Sequence, residues 1–197
     1  MKKLGLFLTA TALFAFIACN NTPKDKITEE SDVEDFDPAP DLTKDEPERV
    51  VQVVLDPKSG SNVHGDVYFT EKDGKVHMEA KVSGLTPNKK HAIHLHENGD
   101  CSADDGASAG GHWNPTGKVH GKWDHNDGYH KGDIGNIEAN ADGEVALTFE
   151  TDQWCIGCGE TERDIVGKSI IIHADEDDFK TQPTGNAGGR IACGVIR

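Results

Sequence analysis

From Arg49 onward the chain repeats one pattern, short runs in which apolar and polar residues alternate: Val50 to Leu55, Val67 to Phe69, Val76 to Val82, Ile93 to Leu95, Val145 to Phe149 and Ile170 to Ile172. A period of two, rich in β-branched residues, puts one side of each run against a core and predicts strands. Asp73-Gly74 and Asp142-Gly143 lead into two of these runs and Pro87-Asn88 separates two others, the punctuation expected of sequential hairpins. No convincing amphipathic helix is present, nor a glycine-rich phosphate loop opening one. The pattern predicts an all-β class.

Two regions break the rhythm. The stretch from Glu97 to Gly132 is crowded with Gly, Asp, Asn and His and has almost no apolar period. So long a loop inside a compact domain calls for a function. Residues 20–48 carry eleven acids, three lysines and four prolines, the composition of a self-repelling, disordered spacer. Ahead of it, Lys2 and Lys3 precede an apolar run from Leu4 to Ala18, which reads as a secretory signal and is short for a membrane span. The junction Phe16-Ile17-Ala18-Cys19 resembles a bacterial lipoprotein cleavage box, which makes Cys19 the acylated first residue of an exported, membrane-anchored chain. The expected organisation is a lipoprotein-type signal over 1–18, an acidic linker over 19–48 and one domain over 49–197, in the periplasm or cell envelope.

Charge narrows the partners. With 20 basic and 35 acidic residues the net charge is −15, so phosphate backbones repel the chain and nucleic acid is not an expected partner.

Ten histidines are present, and six of them, His94, His96, His112, His120, His125 and His130, fall within 37 residues. In His91-Ala92-Ile93-His94-Leu95-His96 the i,i+2 spacing places His94 and His96 on one face of a strand and Ile93 and Leu95 on the other. Neutral imidazoles suit copper or zinc, whereas calcium and magnesium prefer oxygen. Alone, such a pair equally describes a solvated strand face.

Its surroundings decide. His94-Leu95-His96-Glu97-Asn98-Gly99-Asp100, Gly110-Gly111-His112-Trp113-Asn114-Pro115 and Gly132-Asp133-Ile134-Gly135-Asn136 resemble the copper/zinc superoxide dismutase family. So do His173-Ala174-Asp175-Glu176-Asp177 and the run from Gly185 to Ile196, and the resemblance covers residues 49–197. It implies an eight-stranded antiparallel Greek-key barrel or sandwich with two long site-forming loops. It further implies copper on His94, His96, His112 and His173, and zinc on His112, His120, His130 and Asp133, with His112 bridging the two. Asp177 is then the carboxylate that orients ligands of both metals, Arg190 the cation that attracts superoxide, and Cys101–Cys193 a disulfide. The activity implied is conversion of superoxide to dioxygen and hydrogen peroxide, with Arg190 and His112 as catalytic groups. His64, His77, His91 and His125 fall outside the matched positions and are expected on the surface.

Several alternatives stay open. Cys155-Ile156-Gly157-Cys158 reads as a redox motif or as a small local disulfide, the second fitting better because no helix start follows. Where the family often carries lysines beside the copper channel, this chain has Asp175-Glu176 and Gln182-Pro183, leaving Lys180 as the one lysine between His173 and Arg190. A metal-binding protein without turnover is the second functional reading. Monomer and homodimer are both compatible with the sequence.

Overall fold

The computed structural model describes residues 48–197; the signal, Cys19 and the linker as far as residue 47 lie outside the described residues. Eight strands follow in order: β1 (Arg49–Pro57), β2 (His64–Lys72), β3 (Lys75–Ser83), β4 (Lys90–His96), β5 (Gly135–Glu138), β6 (Val145–Thr151), β7 (Ser169–His173) and β8 (Arg190–Val195). Every pairing is antiparallel and the spatial order is β5-β4-β7-β8-β1-β2-β3-β6. The end strands β5 and β6 approach without pairing, so the barrel is nearly closed. Among the described residues no helix is long and apolar enough to cross a membrane.

The alternating runs become half-buried strands. On β3, Val76, Met78, Ala80 and Val82 enter the core while Lys75, His77, Glu79 and Lys81 face water. The β2–β3 hairpin turns through Asp73 and Gly74, both with positive φ, the backbone that a tight two-residue connection requires.

The β4–β7 wall is different, being buried on both faces. Its inner residues, Ile93 against Ile172 and Leu95 against Ile170, belong to the barrel core. Its outer residues pair His94 with Ile171 and His96 with Ser169. Over this face Ile171 packs with Ala109 and Cys193 in a separate cluster.

Two strands escape the alternation signal. β5 has only four residues and opens on Gly135, and β8 is interrupted by Gly194. One expectation is corrected: His91 is not a surface residue but is 1% exposed. The parity that turns Ile93 and Leu95 inward also turns His91 inward, opposite the core residue Ile137. His64, His77 and His125 are exposed.

Candidate metal centre

The wall, the long loop and the segment after β7 bring eight buried polar side chains together, Asp177 coming from the last. His94 and His96 project from the outer face of β4, and His173 ends β7 after a register shift between Ile172 and His173. The loop returns to the wall at His112, which bridges to His96, and Glu97 N donates to the Gly111 carbonyl at 3.0 Å. Two groups result, His94-His96-His112-His173 and His112-His120-His130-Asp133, and the potential donor atoms within each lie within 4.8 Å of one another. His112 belongs to both.

Hydrogen bonds set which ring nitrogens are free. Asp177 accepts from His94 Nε2 through Oδ2 and from His120 Nε2 through Oδ1, each at 2.9 Å. One carboxylate thus holds a ring from each group. The Gly110 carbonyl accepts from His96 Nδ1 at 2.9 Å, which leaves His96 Nε2 bare, 3.3 Å from His173 Nε2. His94 Nδ1, His112 Nε2, His120 Nδ1 and His130 Nδ1 are buried without a hydrogen-bond partner. The last two approach Asp133 oxygens at 2.9 and 3.2 Å but out of line for a hydrogen bond. Four buried, unpaired nitrogen atoms facing their neighbours are costly unless a further group satisfies them. Bare imidazoles with one carboxylate suit copper and zinc, so the residues fit these ions.

The electrostatics agree. Burial drives His112 down to about 4, only partly opposed by its hydrogen bond to Asp133. Burial and the neighbouring His112 take His96 to about 2, and burial holds His173 well below the ordinary histidine value. Burial would raise Asp133, yet the hydrogen bond from His112 and the close His120 and His130 rings hold it far below the usual carboxylate range. Burial likewise opposes His120, but Asp133 and Asp177 against its two nitrogens raise it to about 9. His96, His112 and His173 are therefore neutral at neutral pH, and Asp133 is ionised.

Arg190 sits beside this assembly, donating from Nη1 to the Gly106 carbonyl and from Nη2 to the Gly110 carbonyl, both at 2.6 Å. Gly110 O therefore accepts hydrogen bonds from both His96 and Arg190. The residue has φ 75°, and a Cβ there would collide with the Glu97 and Asn98 side chains, so glycine is required. Cys101 and Cys193 are joined, closing the loop onto β8 across a sequence separation of 92. Cys155 and Cys158 are joined as well.

Sequence reading missed several supports. His91 Nδ1 donates to the His173 carbonyl at 2.9 Å from inside the barrel. Asn136 holds Asp177 on both sides, accepting from Asp177 N at 2.7 Å and donating to Asp177 O at 2.9 Å. Lys58, far from the motifs in sequence, donates from Nζ to the Cys101 carbonyl at 2.6 Å. The parity of β4 was the one available signal for His91; the other two depend on long-range packing.

An all-β barrel carrying two buried nitrogen-rich donor sets that share one imidazole defines a candidate two-metal protein. Residues 63–196 match the family model described as copper/zinc superoxide dismutase. The chain is 38% identical over 164 residues to the extracellular superoxide dismutase [Cu-Zn] of Drosophila melanogaster, covering 78% of this chain and 87% of that protein. It is 40% identical over 140 residues to the superoxide dismutase [Cu-Zn] of Paramecium bursaria Chlorella virus 1, covering 68% and 72%. A solved structure of a SOD-like protein from Bacillus subtilis matches with a TM-score of 0.66 and 33% identity, covering 74% of this chain and 97% of that one. The chain belongs to the copper/zinc superoxide dismutase family. Its metals are copper and zinc, and its activity is superoxide dismutation.

Proposed function

We propose that His94, His96, His112 and His173 hold the copper and that His112, His120, His130 and Asp133 hold the zinc. The observation that carries this assignment is His112, whose Nε2 is unpaired within the first group while its Nδ1 lies 2.9 Å from Asp133 Oδ1 of the second. Copper, when bound, supplies the one-electron cycling by which two superoxide anions and two protons become dioxygen and hydrogen peroxide. The second set offers three nitrogens and one oxygen with no free position, which makes zinc structural.

The chain does the rest. Arg190, half-buried and fixed by two loop carbonyls, presents its charge to an approaching anion. Asp177 fixes the tautomers of His94 and His120 from outside the ligand sets. His112, whose Nδ1 lies against Asp133, would hold a proton at Nε2 whenever that nitrogen is not bound to metal. The wall of β4 and β7 and the overlying loop keep these donor side chains out of water.

Export and anchoring through Cys19 belong to the same reading, with residues 1–18 removed and 19–48 as the spacer. The bridge between Cys101 and Cys193 supports an oxidising compartment. Turnover by the chain carrying zinc alone, then copper and zinc, tests the assignment. Activity is expected only with copper and is lost in Arg190→Ala, whereas copper held without turnover overturns the enzyme in favour of a metal store. Labelling of Cys19 with a radioactive fatty acid tests the anchor.

A further inference from the structure

We infer that Gln182 is a positioning residue for zinc, holding the backbone of His120 in place from the opposite loop. Its amide grips one residue at both ends: Oε1 accepts from His120 N and Nε2 donates to His120 O, each at 2.8 Å, across 62 positions of sequence. A primary amide has one acceptor and one donor side, and few side chains can make this pair of bonds.

The segment carrying His120 has little else to fix its course. Its other backbone hydrogen bonds are local: Gly117 N to Asn114 O, Lys118 N to Asn114 Oδ1, His125 N to Lys122 O and Gly128 N to His125 O. Gly121 N reaches Asp133 Oδ2, itself in the same loop. Among the described residues, Gln182 is the one hydrogen-bonding group that reaches backbone 116–128 from outside the β4–β5 connection. Trp123 is anchored separately, by packing on Phe149 and Trp154.

Gln182 is well placed for the task. Asp178 closes the turn beneath it, accepting from Lys180 N, Thr181 N and Thr181 Oγ1, and Asp178 N returns to Gly185 O. Gly185 faces Asp177 and His120 so closely that a Cβ would strike the Asp177 carboxylate and lie 2.6 Å from His120 Nε2. The turn therefore meets His120 twice, at its backbone through Gln182 and at its ring through Asp177. Preorganising a ligand in this way lowers the entropy lost on binding the ion.

The inference rests on His120 being a zinc ligand, so its test carries an arm for that reading. Zinc affinity of the full chain is measured by competition with a colorimetric chelator for the unaltered protein, Gln182→Ala, Gln182→Glu and His120→Ala. Gln182→Ala is expected to weaken zinc about tenfold. Gln182→Glu, which keeps the acceptor and loses the donor, is expected between the two. In the unaltered protein, zinc should also slow hydrogen exchange at the His120 amide, and this protection should shrink in Gln182→Ala while melting of the metal-free protein stays close to unaltered. Unchanged zinc affinity in both Gln182 variants, with His120→Ala weakened, overturns the role of Gln182 alone. Unchanged affinity in His120→Ala overturns the zinc set itself.

Discussion

The β2–β3 sheet and the β4–β7 wall are built from the same period-two strands, yet only one carries chemistry. β3 keeps Lys75, His77, Glu79 and Lys81 in water, and its histidine does no more than approach Glu150 at 3.1 Å. β4 places His94 and His96 at equivalent outward positions, but a long loop, tied down by a disulfide, covers them and removes them from solvent. Burial turns a polar strand face into a set of candidate metal donors, because imidazoles without water need another partner. The cover makes the site.

The comparison breaks most sharply at His173. His173→Ala should abolish superoxide turnover while zinc stays bound, because His173 belongs to the first donor group only; elemental analysis beside an activity assay checks both. On the plain sheet, Met78→Ala should cost about 2–5 kcal/mol of folding stability through the cavity it leaves. The folded fraction should keep its zinc affinity, read by denaturant unfolding and chelator competition. Asp177→Asn should loosen zinc by roughly tenfold to a hundredfold, since it disturbs a carboxylate that holds rings of both groups.

A smaller effect is expected from pH in the metal-free protein. His112, depressed from 6.5 to about 4, stabilises the fold above 6.5, and that contribution is lost as pH falls through about 4. His120, raised from 6.5 to about 9, works the other way, its contribution complete below 6.5 and lost as pH rises through about 9. Melting of the chelated chain should therefore decline on both sides of neutrality, and bound metal should flatten the profile between these limits. The smallest effect belongs to His77→Ala on the open sheet, expected to change stability by less than about 0.5 kcal/mol and to leave metal content untouched.

Reading the chain in one dimension succeeded where neighbours in sequence are neighbours in space. The alternation in Val76 to Val82 and the spacing of His94 and His96 are local properties of an extended backbone, so strand, face and all-β class were legible from them. The motif blocks carried the family resemblance and with it the ligand list. β5 and β8 were hidden because glycine and charge interrupt them, and they are strands only because the barrel pairs them.

What the sequence determined by itself was the period of the strands, the clustering of histidines and the acidic charge. Tertiary structure alone decided that His91 is buried, that Lys58 and Gln182 reach across to Cys101 and to His120, and that one imidazole belongs to two donor groups. The physical reason is range. Alternation is enforced within a few residues, whereas burial and hydrogen-bond partnership depend on which distant segment the closing barrel and its covering loop bring alongside.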